Sequence, residues 1–303
     1  MKTEQPTSRS QLRSIGWLIV LAASLIADAP IRADIVYVSN WNNDTIERFD
    51  SVTGNSLGVF ANIRGPRGIA LDSAGNLYAV SYSDQEILKY TPAGVASVFA
   101  NIYFSHGEGL TFDSAGNLYM ADYMANTITR FTPGGVSSAF ANTGLNQPYG
   151  LAFDNAGNLY AANYGGNSIE EFTPGGVGSV FATGLKNPIG LAFDNAGNLY
   201  AGNYGGGTIQ KFTPGGVGSI FGSGLTNPSG LAFDSAENLY VADEWAPPPY
   251  GKVVKFTPGG VGSVFASTPY SGPVYIAIQP VPEPSAIALL GLGLATLLGL
   301  RRR

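Results

Sequence analysis

His106 and Glu108 stand two residues apart in the stretch Phe104-Ser105-His106-Gly107-Glu108, the first place to look for chemistry. A histidine titrates near neutrality and can trade protons with a neighbouring carboxyl group, so the pair suits general acid–base work. The chain has one His and no Cys, so thiolate chemistry is excluded. A second set of side chains offers oxygen: Asp122, Asn163, Asn203 and Asp243 recur at regular spacing. A hard cation collects several such oxygens, but short polar residues at these places also cap turns. The Asp at 72, 113, 154, 194 and 234 leads each turn and is its one acid in the first four, the fifth adding Glu237. A calcium loop gathers several carboxylates, so these read as partners of turn N–H groups. No metal and no cofactor is expected. A third set is aromatic: Trp41, Tyr82, Tyr123, Tyr149, Tyr164, Tyr204, Trp245 and Tyr250, in company with Arg67 and Glu108. Sugar rings stack their C–H faces on Tyr and Trp while polar neighbours bind the hydroxyls, so these ten are the ligand-binding candidates. The competing reading of the repeated Tyr is packing between structural units with the hydroxyl in water.

The elements that must position these groups come from a repeat. GLAFDNAGNLYAANYGG at 150–166 returns as GLAFDNAGNLYAGNYGG at 190–206, and Asp72, Asp113, Asp154, Asp194 and Asp234 follow one another at intervals of 41, 41, 40 and 40. A period of that length means an array or a propeller. Within one unit the sequence predicts four strands: Gly150–Asp154, Leu159–Asn163, Ser168–Phe172 and Val177–Ala182, with Pro and Gly turns between them. No helical period runs through 34–280. The expected fold is all-β, a six-bladed β-propeller with short strands. Ile35–Ser39 begins at the second strand of a unit, and Val274–Ile278 supplies a first strand with nothing after it. Pairing the two closes the ring and removes its open edges. The turns on one face are monotonous, whereas the other face gathers the side chains that vary from unit to unit. Just before the first-strand Gly these are Arg67, Glu108, Tyr149, Ile189 and Ser229, with Val274 aligned in the closing unit.

The pattern P-x-G-[IL]-A-[FL]-D-x-A-G-N-L-Y-x-x-[DNS] resembles NHL-type propeller repeats across residues 34–279. Propeller gluconolactonases are similar in ring size and hold a divalent ion on Glu, Asn and Asp near that position before the Gly. Here only Glu108 fits, so that site is not expected. Streptogramin lyases are propellers that rely on His and Glu, but with seven blades and a wider pattern not seen in this chain.

Both ends read as addresses. Lys2, Arg9 and Arg13 precede the apolar run Ile15–Ala27, a signal helix too short to span a bilayer, and cleavage is expected after Ala33. At the other end, Val281-Pro282-Glu283-Pro284 leads into the uncharged Ser285–Leu300, a short transmembrane helix, and then Arg301, Arg302 and Arg303. These parts in this order resemble the PEP-CTERM sorting signal. The resemblance implies recognition by an exosortase-type membrane protease, transient anchoring through the C-terminal helix, and delivery to the cell surface or an exopolysaccharide matrix. The division expected is therefore 1–33 signal peptide, 34–279 propeller and 280–303 sorting signal. Between Asp34 and Glu283 there are 9 Lys and Arg against 19 Asp and Glu, a net charge of 9 − 19 = −10. Such a surface repels phosphate backbones, so nucleic acid is not an expected partner. The functional expectation is non-enzymatic binding of polysaccharide or a matrix protein. The alternatives are a hydrolase or lyase built on His106 and Glu108, and an architectural matrix protein without a discrete site.

Overall fold

The computed structural model describes residues 33–103, 106–245, 251–268 and 272–281. Each unit folds as a four-stranded antiparallel blade because Gly-Asn and Thr-Pro-Gly turns reverse the chain every five or six residues. Blade 1 contains β1 (Ile35–Asn40), β2 (Thr45–Asp50) and β3 (Ser56–Asn62). Blade 2 is β4 (Pro66–Leu71), β5 (Leu77–Ser81), β6 (Glu86–Tyr90) and β7 (Ala96–Asn101). Blade 3 is β8 (Gly107–Phe112), β9 (Leu118–Asp122), β10 (Thr127–Phe131) and β11 (Ser137–Ala141). Blade 4 is β12 (Pro148–Phe153), β13 (Leu159–Asn163), β14 (Ser168–Phe172) and β15 (Gly178–Thr183). Blade 5 is β16 (Pro188–Phe193), β17 (Leu199–Asn203), β18 (Thr208–Phe212) and β19 (Gly218–Ser223). Blade 6 is β20 (Pro228–Phe233), β21 (Leu239–Asp243), β22 (Lys252–Phe256) and β23 (Gly262–Ser267). The chain then returns as β24 (Pro273–Gln279), which joins blade 1 in the order β24-β1-β2-β3. Ile35 pairs with Gln279 and Ser39 with Tyr275, the closure expected from the missing and surplus strands. The Ser39 hydroxyl accepts the Tyr275 N–H at 3.1 Å in that seam. The result is an all-β, six-bladed propeller. Asp34–Pro280 forms a compact unit of its own. The signal helix, the C-terminal helix, Pro282, Glu283, Pro284, Arg301, Arg302 and Arg303 lie outside the described residues. Among those residues no helix is long and apolar enough to cross a membrane.

The adhesive between blades is aromatic. In each outer strand a bulge throws one Phe out of register: Ile169 pairs with Ala182 and Glu170 with Val180, leaving Phe181 extra. Released from the alternation, Phe181 turns toward the core and meets Tyr160 edge to face at 5.0 Å, while Tyr160 meets Phe193 of the next blade at 5.1 Å. The same Tyr–Phe–Phe contact recurs at Tyr78, Tyr119 and Tyr200. Edge-to-face pairs of this kind add about 0.5–1.5 kcal/mol each beyond the area they bury.

The innermost strands run down the axis. Gly68, Gly109, Gly150, Gly190 and Gly230 occupy equivalent places there, and a Cβ on any of them would collide with backbone of the next blade. Only glycine lets these strands approach so closely. In the sixth strand the equivalent residue is Tyr275. The Asp-led turns lie on the opposite face from the mouth. Asp154 Oδ1 accepts the N–H groups of Ala156 and Asn158, and its Oδ2 accepts from the Asn158 side chain. Asp72, Asp113 and Asp234 repeat the set, and Asp194 holds the N–H and side chain of Asn198 in the same way.

Candidate functional site at the channel mouth

At one end of the axis the inner strands and the connections around them enclose a cavity of about 310 Å³. Its walls are Trp41, Tyr149, Tyr164, Tyr204 and Trp245, with Asn42, Arg67 and Glu244 among them and Ile189 and Val274 at the base. Six of the ten sequence-derived binding candidates therefore line one cavity: Trp41, Arg67, Tyr149, Tyr164, Tyr204 and Trp245. Their arrangement is an arc of touching rings. Tyr123 meets Tyr149 at 5.0 Å, Tyr149 meets Tyr164 at 5.2 Å, and Tyr164 meets Tyr204 at 6.3 Å. Across the mouth Trp41 meets Tyr82 at 5.3 Å, and the Arg67 guanidinium lies over the Trp41 ring, 3.9 Å from its centroid. Tyr82 and Tyr123 thus brace the wall from behind and do not line it. Tyr250 lies outside the described residues.

The four Tyr after the second strands are half-buried. They do pack on neighbours, as the competing reading has it, yet Tyr164 and Tyr204 also present surface to the cavity. The Tyr204 hydroxyl is pushed up to about 12, first by burial and then by the nearby Glu244 carboxylate. Burial likewise holds Glu244 above the ordinary carboxylate range, opposed by the positive charge of Arg67. Glu244 and Asn42 belong to the site although spacing gave no hint of them. The aromatic Trp245 beside Glu244, in a connection between second and third strands four residues longer than in blades 2 to 5, was the one available signal.

Glu108 is buried beneath this mouth, with 2% of its surface exposed. Burial raises its carboxyl to about 7; the charge of Arg67 pulls the other way, and Glu244 and Asp122 push with burial. Its ionic neighbour is Arg67, with Nε 3.8 Å from Oε1. No hydrogen bond joins it to His106, whose ring packs half-buried against Tyr82 at 5.5 Å. The acid and base expected as a pair therefore have different partners.

The oxygen set is engaged in holding loops. Asp122 Oδ1 accepts the N–H groups of Met124 and Ala125, capping the turn it begins. The other three differ from the turn-capping expectation. Asn163 accepts from Asn146, Asn203 from Lys186, and Asp243 from Thr226 and Asn227, so each clamps the connection that enters its own blade. The reason is proximity: the end of the second strand lies beside the start of the first. Among the described residues no group of three or more His, Cys, Asp or Glu is placed to hold a metal ion.

Residues 280–303 match the PEP-CTERM protein-sorting motif. The PEP-CTERM motif implies export and processing by an exosortase, with transient membrane anchoring. No curated protein matches the chain. Among solved structures, a chain in the crystal structure of a nidogen/laminin complex superposes with a TM-score of 0.72 at 20% identity, covering 81% of this chain and 98% of that one. A catalytically inactive virginiamycin B lyase from Staphylococcus aureus, crystallised with quinupristin, gives 0.62 at 14% identity, covering 82% and 94%. A streptogramin B lyase structure gives 0.59 at 15% identity, covering 82% and 88%. At these identities the likeness is one of fold.

Proposed function

We propose that this PEP-CTERM propeller is a non-enzymatic binding module of the cell surface or extracellular matrix, and that its channel mouth holds a sugar unit of a polysaccharide. The observation that carries this reading is the cavity itself: five Tyr and Trp side chains around Asn42, Arg67 and Glu244 at the axis. Aromatic faces take the C–H surfaces of a sugar, and the polar three take hydroxyls. The domain division at 34 and 280 supports secretion of the ring alone. Asp34, the residue left first by cleavage after Ala33, is buried, and its carboxylate accepts the Ser235 N–H at 2.9 Å. Exosortase-type processing of 280–303 then releases the ring from its membrane tail.

The test is a glycan array read with the full chain in mild detergent. Trp245 is half exposed, so Trp245→Ala should fold normally. It should lose about tenfold or more of the retained signal, as expected for an aromatic anchor. Unchanged retention on every glycan would refute the assignment. The hydrolase or lyase reading keeps one supporting observation, the Glu108 carboxyl poised at about 7, in the range of a useful proton donor. Cleavage of a bound glycan, lost in Glu108→Gln, would move the assignment to that class.

A further inference from the structure

One backbone contact repeats around the mouth. In each blade the residue after the second strand donates its N–H to the carbonyl of the residue just before the first strand. Tyr82 donates to Gly65, Tyr123 to His106, Tyr164 to Gln147 and Tyr204 to Asn187, at 3.0–3.1 Å. In blade 1 Trp41 donates to Gly272 at 3.0 Å, and in blade 6 Glu244 donates to Asn227 at 3.2 Å. The six places are therefore equivalent. Five hold an aromatic ring, and the sixth holds the carboxylate of Glu244. This carboxylate lines the mouth cavity in company with Tyr204 and Trp245. Asn227 ties it to Tyr204: the Asn227 carbonyl accepts the Glu244 N–H, and its side-chain amide donates to the Tyr204 carbonyl at 3.1 Å. A Cβ on Gly272 would lie 3.2 Å from Asn42 Nδ2 and 3.5 Å from Glu244 Cγ, so Asn42 and Glu244 converge on one side of the cavity.

Among the described residues no Lys or Arg forms an ion pair with Glu244. Burial opposes its charge, while Arg67 and the Tyr204 hydroxyl favour it. Arg67 is the cation among the lining residues, and its contacts lie on the other side. Its guanidinium is 3.9 Å from the Trp41 centroid and 5.5 Å from that of Tyr82, and its Nε is 3.8 Å from Glu108. The mouth therefore has two unlike sides. At Trp41 the aromatic face already carries a cation. At Tyr204 and Trp245 the rings stand beside a carboxylate without one. Aromatic faces carry negative potential and attract cations, and an ionised carboxylate adds to that attraction. An ammonium group brings three N–H donors, which suit Glu244 and the Asn42 side-chain carbonyl. A ligand carboxylate would be repelled by Glu244 and would find Arg67 already facing Glu108.

We propose that Glu244, with Tyr204, Trp245 and Asn42, forms an ammonium subsite, and that the sugar held at the mouth is an amino sugar with a free amine. This rests on the saccharide reading above and names the substrate class within it: the ammonium stands where a hexose has a hydroxyl. N-acetylation removes the charge, so the subsite separates free-amine units from acetylated ones.

The experiment ranks trisaccharides by their retention on the full chain in mild detergent near neutral pH. The probes, attached through their reducing ends, are a free-amine hexosamine, the same sugar N-acetylated, a neutral hexose and a hexuronate. The free-amine trisaccharide should be retained about tenfold better than its N-acetylated form, as expected when a hydrogen bond to a charged group is gained. Glu244→Gln keeps the shape of the side chain and removes its charge. Glu244→Tyr installs the residue that blades 2 to 5 carry at the equivalent place. A variant with a cooperative melting curve should retain the free-amine and N-acetylated forms alike. Survival of the amine preference in a folded variant assigns the attraction to the acidic ring as a whole and overturns the inference. Best retention of the N-acetylated sugar, the hexose or the hexuronate by the wild type overturns it as well. Each of these results leaves the saccharide pocket standing. Retention of no trisaccharide overturns the inference and the pocket together.

Discussion

Replacing Glu108 by Gln should stabilise the protein at neutral pH. In the folded ring Glu108 keeps its proton to about pH 7, chiefly because it is buried, whereas the ordinary value for Glu is 4.5. Between those two pH values the folded state therefore binds more protons than the unfolded chain. Stability is full below about 4.5 and is lost as pH rises through 7. The interval 7 − 4.5 = 2.5, at ~1.4 kcal/mol for each, gives about 3 kcal/mol. Glutamine is neutral throughout and escapes this loss. Wild type and Glu108→Gln should match near pH 4, and the variant should lead by about 3 kcal/mol near pH 8, roughly 6–12 °C in melting midpoint for a ring of this size. Urea denaturation of both proteins across that range is the assay, and titrating groups that do not feel Glu108 cancel in the difference. A difference that stays constant with pH, or a variant less stable at every pH, would refute the placement of Glu108 as a buried, weakly compensated carboxyl.

The axis and the seam give further expectations. Gly150→Ala places a Cβ against the Ile189 carbonyl oxygen and should cost about 3 kcal/mol or more by denaturation, whereas Gly215→Ala, with nothing nearer than Thr213 Oγ1 at 3.9 Å, should stay within about 1 kcal/mol of wild type. Ending the chain after Gly272 removes β24, uncovers the edge of β1 and strips Val274, Tyr275 and Ala277 from the cluster around Tyr37 and Ile69. That truncation should abolish cooperative unfolding and give self-association in sedimentation; a monomer with the native melting curve would contradict the closure.

The ring was legible because its two determinants are local or arithmetical. The spacing of Asp72, Asp113, Asp154, Asp194 and Asp234 sets the repeat, and Ile35–Ser39 lacks the strand that Val274–Ile278 supplies. The mouth was partly legible: residues that break the repeat, such as Arg67, Tyr149 and Trp245, do converge there. The remainder depends on side chains far apart in sequence. Arg67 and Glu108 meet because first strands of neighbouring blades lie side by side at the axis, and sequence proximity pointed instead to His106. Tyr275 looked like an ordinary strand aromatic until its alignment with five glycines placed it on the axis. The outer-strand pattern, in which Val180 and Phe181 are adjacent and both apolar, looked imperfect because a bulge is invisible to a period-two reading. Val180 is 61% exposed, and Phe181 is the residue turned inward.

The pairing of Ile35 with Gln279 fixes an order of events during export. A chain threaded across the membrane from its N-terminus presents β1 first and β24 last, so blade 1 waits one strand short until the whole span has emerged. The entropy of joining such distant ends grows only logarithmically with length, and the delay is one of arrival more than of cost. Residues 280–303 begin immediately after the strand that completes the circle. While that tail remains tethered, any pull on it reaches β24 before any other strand. The load would fall on the hydrogen bonds to β1, which separate one after another when drawn from an end.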